Sequence, residues 1–162
     1  IMLLAIKYGL RVGDIRDMKF SNIDFVKNEI SLTQQKTQKH LTLPLLPDVG
    51  WAIIDYIKNG RPESDVPSIF IRHVVPYIEF SHGDNLGYIL SGYARQAGVR
   101  GNGSQKNSFH MLRYSLASNL LRKNISLSTI SGILGHSEIN TTAQYTRLDF
   151  DQLKECALEV PV

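Results

Sequence analysis

Residues 108–124 read SFHMLRYSLASNLLRKN, and this stretch has the clearest helical pattern in the chain. The apolar face of a helix over residues 108–123 would carry leucines at helical spacing, namely Leu112, Leu116, Leu120 and Leu121. His110 and Arg113 are three residues apart, so their side chains would share one face of this helix. Taken alone, such a pair is more often a solvated surface pair than a functional site.

The sequence after this stretch predicts three further short helices. The first, over residues 126–134, begins at a serine cap and ends before a glycine that delivers His136 into a turn. Residues 140–147 and 149–159 follow with helical patterns, and the first of these contains Tyr145. A histidine after a helix-ending glycine is a weak signal, and a tyrosine at helical spacing is usually a core aromatic.

On the N-terminal side, the pattern alternates between helices, loops and a small sheet. Helical patterns occupy residues 1–9, 13–19, 47–59 and 84–97. Polar or proline-rich loops are predicted at residues 60–83 and 99–107. Three β-rich segments separated by polar turns lie at residues 22–25, 29–34 and 41–45. The predicted fold class is therefore α+β, mainly α-helical, with a small three-stranded antiparallel sheet, in one domain over residues 1–162.

Composition narrows the class of protein without identifying it. The chain has 162 residues, which suits one compact domain, and a formal charge of +3, which is a mild hint of a polyanionic partner. Its single cysteine, Cys156, excludes an intrachain disulfide and fits a reducing cytoplasm. No stretch approaches the roughly 20 apolar residues of a membrane span. The chain opens with IMLLAIKYGL instead of a methionine, which predicts a fragment of a longer protein.

Two further groups of polar residues lie near the N-terminus. Arg11 follows the helix break at Gly9, and Asp14 comes three residues later. Lys36 lies in the polar turn between the second and third predicted strands. Alone, the first group could be a structural Arg–Asp pair, and a lysine in a hairpin turn usually serves solubility.

The order of these residues is more specific than any one of them. The chain presents an arginine, a turn lysine, a His-x-x-Arg motif, a Gly-His pair and a tyrosine nine residues after that second histidine. In this order the chain resembles the catalytic domain of the tyrosine recombinases of phage-integrase type, over almost its whole length. The segments that carry the resemblance are YGLRVGDIRDMKFSNIDF, KTQKHLTLPL, HMLRYSLASNLLRKN and ISGILGHSEINTTAQYTRL.

This resemblance implies a role for each polar residue. Arg11 and Arg113 would clamp the scissile phosphate, and Tyr145 would be the nucleophile. His110 would accept or share the tyrosine proton, and His136 would donate a hydrogen bond to the phosphate. The remaining two are Lys36 and Asp14.

Lys36 is expected to protonate the leaving 5′ oxygen of DNA. Lys39 is its rival, and the distance to the third strand favours Lys36. Asp14 matches an acidic position that accompanies the first arginine, so it is expected to orient Arg11. The chain departs from the family at Tyr114, where histidine is commoner.

The resemblance also implies partners and excludes cofactors. The expected partner is double-stranded DNA, bound by a homotetramer in the synapse, with a monomer or weak oligomer in the absence of DNA. An N-terminal core-binding domain would be missing from these residues. No ATP, metal or other cofactor is expected, and the expected location is the cytoplasm. Two alternatives stay open, a tyrosine-type DNA topoisomerase and a non-catalytic DNA-binding accessory protein.

Overall fold

The computed structural model describes residues 1–99 and 108–135, and within them the predicted α+β fold is confirmed. The α-helices there are α1 (Met2–Tyr8), α2 (Val12–Arg16), α3 (Pro47–Asp55), α4 (Gly87–Gln96), α5 (Phe109–Arg122) and α6 (Leu127–Leu134), with a 3-10 turn at Phe20–Asn22 and a π-helical turn at Tyr56–Gly60. The strands are β1 (Ile23–Asp24), β2 (Glu29–Thr33) and β3 (His40–Pro44). The helices predicted at residues 140–147 and 149–159 lie outside the described residues.

The three strands form an antiparallel sheet in the order β1-β2-β3. Each strand end lies within one residue of its predicted position, because polar turns mark the boundaries in the sequence. On β2, Ile30 and Leu32 are buried, as expected when alternate side chains face the core. The β2–β3 pairing runs from Glu29 opposite Pro44 to Thr33 opposite His40, so residues 34–39 form the connecting turn.

The helix predicted at residues 84–97 begins later than expected, at Gly87. The reason is that the Asp84 carboxylate is held in the preceding loop. It accepts hydrogen bonds from Arg72 Nη2 at 2.7 Å and from the Ser81 backbone N–H at 2.7 Å. These bonds stabilise a loop conformation at Asp84, so the chain does not become helical there.

The helix predicted at residues 13–19 is also shorter than expected. In the structure, α2 ends at Arg16. After α2, the backbone is extended and pairs with the long loop that follows α3. Lys19 pairs with Ser68 in an antiparallel bridge, and the Phe20 backbone N–H donates to the Pro67 carbonyl at 3.0 Å.

Gly9 brings the end of α1 directly against α5 and α6. Its φ of 63° is left-handed, which glycine adopts without strain. A Cβ atom at Gly9 would lie 2.8 Å from a methyl of Leu134 and 3.0 Å from a methyl of Leu116. The absence of a side chain therefore permits both the helix break and the close approach that places Arg11 near α5.

Helix α5 joins two hydrophobic clusters. Phe109 packs in the main cluster, whose fully buried members include Leu4, Leu10, Ile15, Ile30 and Ile69. Further along α5, Ala117 packs in a smaller cluster with Ile130 and Leu134 of α6. Both helices begin at serine caps, where Ser108 accepts from the Met111 N–H and Ser126 from the Thr129 N–H.

Candidate active site

Arg113 is the most deeply buried of the predicted site residues that the structure describes. Its side chain projects from the middle of α5, and the residue is 3% exposed. Nη1 donates to the Gly9 carbonyl at 2.5 Å, and Nη2 donates to the Leu134 carbonyl at 2.7 Å. Because a buried guanidinium stays charged, these two carbonyls both stabilise the cation and fix its plane.

Arg11 lies two residues after the Gly9 break, at the position that precedes the first turn of α2. Its side chain is half-buried, and Nη1 donates to the Gln34 side-chain carbonyl at 3.0 Å. The structure therefore brings Arg11 and Arg113 to the same end of α1, since Arg113 bonds to Gly9 and Arg11 follows it.

Lys36 lies in the turn between β2 and β3, as the sequence predicts, and is exposed. The turn is closed on both sides by backbone bonds of Gln34. The Gln34 N–H donates to the Lys39 carbonyl at 2.9 Å, and the Gln34 carbonyl accepts from the Gln38 N–H at 2.8 Å. Lys39, the rival lysine, is also exposed and directly precedes β3.

His110 lies in the first turn of α5, where the charges of Arg11, Lys36 and Arg113 act on its imidazole. It is exposed overall, yet burial by the surrounding protein atoms is the largest cause that lowers the pKa of its imidazole. The positive charges of Arg113, Lys36 and Arg11 lower that pKa further, in this order. The four residues therefore form one cationic cluster, in which burial and the neighbouring charges favour the neutral imidazole of His110 over its protonated form.

Tyr114 packs beside His110, one turn further along α5. The two rings meet edge to face, with their centroids 4.5 Å apart and their planes at 86°. This contact supports the imidazole from the α5 side. Tyr114 is thus a tyrosine of the described site, although the sequence assigns the nucleophile to Tyr145.

Asp14 has a different partner from the one the sequence suggested. The expected contact with Arg11 does not occur in the described part of the chain. Asp14 is 6% exposed, and its Oδ1 accepts from the Gln35 backbone N–H at 2.9 Å. Oδ2 is buried without a hydrogen-bond partner among the described residues. The carboxylate therefore holds the β2–β3 turn, which carries Lys36.

Gln34 is a site residue that the sequence reasoning missed. It is completely buried at the end of β2, where alternation from Ile30 and Leu32 points inward. Its Oε1 accepts from Arg11 Nη1 and from Thr37 Oγ1 at 2.8 Å, and its Nε2 donates to the Leu134 carbonyl at 3.1 Å. The sequence did contain a signal for this role, since the alternation of β2 places the Gln34 amide on the inward face. A buried amide needs hydrogen-bond partners, which here are the site residues.

His136 and Tyr145 lie outside the described residues, so their positions relative to the cluster remain predictions. The described chain reaches Gly135, which ends α6 with a φ of 64° as predicted. A Cβ atom at Gly135 would overlap the side-chain amide of Gln34. A glycine is therefore required immediately before His136, both for its backbone conformation and for the close approach of Gln34.

Two absences concern the described residues alone. In residues 1–99 and 108–135, no three or more histidine, cysteine or carboxylate side chains form a group that could hold a metal ion. Every helix in the same part of the chain is too short or too polar to cross a bilayer.

The fold matches that of solved tyrosine recombinases. The crystal structure of XerA recombinase superposes with a TM-score of 0.74 at 24% identity, covering 95% of this chain and 52% of that one. XerH recombinase bound to a palindromic difH substrate, in a post-cleavage complex, gives 0.73 at 21% identity and covers 95% and 42%. The fold is thus that of a tyrosine recombinase catalytic domain.

Sequence comparison then defines the family. The phage integrase family model matches residues 1–152. The protein y4gC of Sinorhizobium fredii, named as an integrase/recombinase, is 37% identical over 161 residues, covering 99% of this chain and 81% of that protein. Tyrosine recombinase XerA of Pyrococcus furiosus is 31% identical over 155 residues, covering 96% and 51%. This chain therefore belongs to the phage integrase family, and it spans about half the length of XerA.

Proposed function

We propose that this protein is a site-specific DNA recombinase that breaks and rejoins DNA through a 3′-phosphotyrosyl intermediate. The observation that carries the proposal is the hydrogen-bonded arrangement that holds Arg113 on the Gly9 and Leu134 carbonyls and Arg11 on Gln34, at the base of the turn that carries Lys36. The relatives support it, since they are named as tyrosine recombinases and integrases.

The two arginines would stabilise the phosphate during cleavage. When a tyrosine oxygen attacks a phosphodiester in line, negative charge builds on the non-bridging oxygens. A guanidinium keeps its charge at any relevant pH and can fork onto two oxygens. Arg113 is already oriented by two carbonyls and Arg11 by Gln34, so little reorganisation would be needed as the charge develops.

His110, Lys36 and Tyr145 would move the protons. A phenol has a pKa of about 10, so Tyr145 needs a base to lose its proton at neutral pH. The lowered pKa of His110 suits it to accept that proton. As the bond between phosphorus and the 5′ oxygen breaks, Lys36 would donate a proton to that oxygen. His136 would hydrogen-bond the phosphate.

The energy of the cleaved bond would be kept in the phosphotyrosyl ester. Attack on that ester by the 5′ hydroxyl of a partner strand then restores a phosphodiester and releases Tyr145. The exchange of one ester for another requires no ATP. The arginine and lysine cations would take the place of a metal ion, so we expect activity in EDTA.

The proposed partner is double-stranded DNA, bound by four copies of the protein in a synapse of two duplexes. Without DNA, the protein would be a monomer or a weak oligomer. A recombinase with this fold has been solved on its DNA substrate, which supports the first part. The net charge of +3 is compatible with a polyanion. We place the activity in the cytoplasm, where bacterial and archaeal DNA lies.

Covalent trapping on nicked DNA tests this function. A full-length protein containing these residues is incubated, in EDTA and without ATP, with its recombination site carrying a nick beside the scissile phosphate. Loss of the short fragment then prevents religation. We expect a slower-migrating protein–DNA band on a denaturing gel for the wild type and none for Tyr145→Phe.

Three outcomes would contradict the proposal in different ways. Binding without a covalent band from the wild type would favour a non-catalytic accessory protein. A band from both proteins would exclude Tyr145 as the nucleophile. Relaxation of supercoiled plasmid without exchange between two sites would favour a topoisomerase.

A further inference from the structure

The side-chain amide of Gln34 joins three parts of the chain that are far apart in sequence. Its bonds reach Arg11, which is 23 residues away, and Leu134, which is 100 residues away, as well as Thr37 in the adjacent turn. Gln34 itself is completely buried, its bond to Leu134 is buried, and its bonds to Arg11 and Thr37 are partly buried.

The partners of Gln34 fix the orientation of its amide. Arg11 Nη1 can only donate, and Leu134 offers a carbonyl that can only accept. The amide oxygen must therefore face Arg11, and the amide nitrogen must face Leu134. Rotating the amide by half a turn would set donors against donors and acceptors against acceptors.

The same carbonyl of Leu134 also accepts from Arg113 Nη2, at 2.7 Å. A continuous path of hydrogen bonds thus runs from Arg11 through the Gln34 amide to the Leu134 carbonyl and on to Arg113. This path links the two guanidinium groups through one glutamine side chain.

We propose that Gln34 is a positioning residue that sets the spacing and orientation of the two phosphate-clamping arginines. This inference rests on the proposed function, because it assigns Gln34 to the same cleavage reaction. Because Gln34 is completely buried, it would act through other residues and not by touching DNA. It acts through Arg11 directly and through the shared carbonyl for Arg113, and its backbone also closes the turn that carries Lys36.

Two substitutions separate this role from simple core packing. Gln34→Met keeps the length and volume of the side chain but removes all three hydrogen bonds. Gln34→Asn keeps the amide but shortens its reach by one methylene. A positioning role predicts slow cleavage for both variants, whereas a packing role predicts that Gln34→Met cleaves as fast as the wild type.

The measurement is the single-turnover cleavage rate on saturating nicked DNA, with DNA affinity measured in parallel, in the full-length protein. We expect Gln34→Met to cleave about 100-fold more slowly, with its DNA dissociation constant almost unchanged, since small displacements of positioned groups affect the rate most. Gln35→Met is the matched control, because it makes the same chemical change one residue along, where the side chain contacts Asp17. Its rate should stay within about twofold of the wild type.

A variant of Arg11 supplies the readout that a purely structural role would not change. In an Arg11→Lys background the guanidinium is gone, so Gln34→Met should slow cleavage much less than it does in the wild type. Ile30→Val, a buried change on the same strand, reports the effect of lost stability alone. Ile30→Val should lower the unfolding midpoint. The fold reduction in cleavage rate that Arg11→Lys causes should be the same with and without Ile30→Val.

The results would overturn the inference if Gln34→Met cleaved as fast as Gln35→Met. They would also overturn it if Gln34→Met caused the same fold loss with and without Arg11. Should Gln34→Met not fold, a wild-type rate for Gln34→Asn would have the same meaning. A wild type that forms no covalent adduct would instead contradict the proposed function, so the two failures are distinguishable.

Discussion

Arg113 on α5 and Lys36 in the β2–β3 turn are both cations of the candidate site, but the protein holds them in opposite ways. Arg113 is 3% exposed, and two backbone carbonyls orient its guanidinium. Lys36, by contrast, is exposed. The turn itself is anchored by Asp14 and Gln34, while the lysine side chain extends from it.

This difference matches the chemistry proposed for each residue. A group that stabilises developing charge acts best when its position is fixed before the reaction, because reorganisation then costs little. A proton donor must reach the leaving oxygen as the bond breaks, which a flexible lysine stem on an anchored turn allows. Damage to the fixed cation should therefore be more severe than damage to the extended one.

The largest effect is expected from Arg113→Lys. A lysine keeps the charge but cannot bridge the carbonyls of Gly9 and Leu134 while forking onto a phosphate. Single-turnover cleavage of nicked DNA should fall about 1,000-fold, the order seen when a preorganised transition-state donor is removed. A loss below about tenfold would show that charge alone suffices and that the buried geometry of Arg113 does not matter.

Lys36→Ala should come next, with cleavage about 100-fold slower and DNA affinity little changed. The variant should regain most of its rate on DNA whose leaving 5′ oxygen is replaced by sulfur, because a thiolate leaves without protonation. Lys39→Ala is the matched control from the same turn and should cleave close to the wild-type rate. If Lys39→Ala were the variant rescued by sulfur, Lys39 would be the proton donor.

A smaller effect is expected at Asp14, which anchors the turn. Asp14→Ala leaves the partly buried N–H of Gln35 without its acceptor, so the free energy of unfolding should fall by about 1 kcal/mol in urea denaturation. Cleavage should slow by less than for Lys36→Ala. Asp14→Asn keeps the Oδ1 acceptor and should stay close to the wild type. Equal losses in the two variants would mean that the charge of Asp14, and not this bond, is required.

The smallest effect is a shift in the pKa of His110. Burial and Arg113 lower this pKa most, and Lys36 lowers it further, so Lys36→Met should raise it toward its ordinary value. Cleavage that needs neutral His110 falls as pH drops through the pKa, so its acid limb should move to higher pH. Following the imidazole signals by NMR titration tests the shift directly. A pKa that stays constant or falls would place Lys36 too far away to act on His110.

Sequence alone predicted most of the fold, because local signals mark its elements. The strands end within one residue of their predicted limits, and Gly135 ends α6 as expected. The start of α4 was wrong because Asp84 bonds to Arg72, a contact that no local pattern shows.

The candidate site was predictable to a smaller extent. The order of the polar residues identified Arg11, Lys36, His110 and Arg113 as a group, and the structure brings these four together. The partners that orient them were not predictable, because Gln34 bonds to a carbonyl 100 residues away. Asp14 likewise bonds to the turn instead of the neighbouring arginine.

The central claim is that this cationic cluster activates Tyr145 against a DNA phosphodiester, and mapping the covalent adduct tests it most directly. The trapped complex is digested with protease and nuclease, and mass spectrometry identifies the peptide that carries a nucleotide. We expect the peptide containing Tyr145, joined to a 3′ phosphate, with the opposite DNA end carrying a free 5′ hydroxyl. A nucleotide on Tyr114, which packs against His110 in the described site, or a link to a 5′ phosphate, would contradict this account.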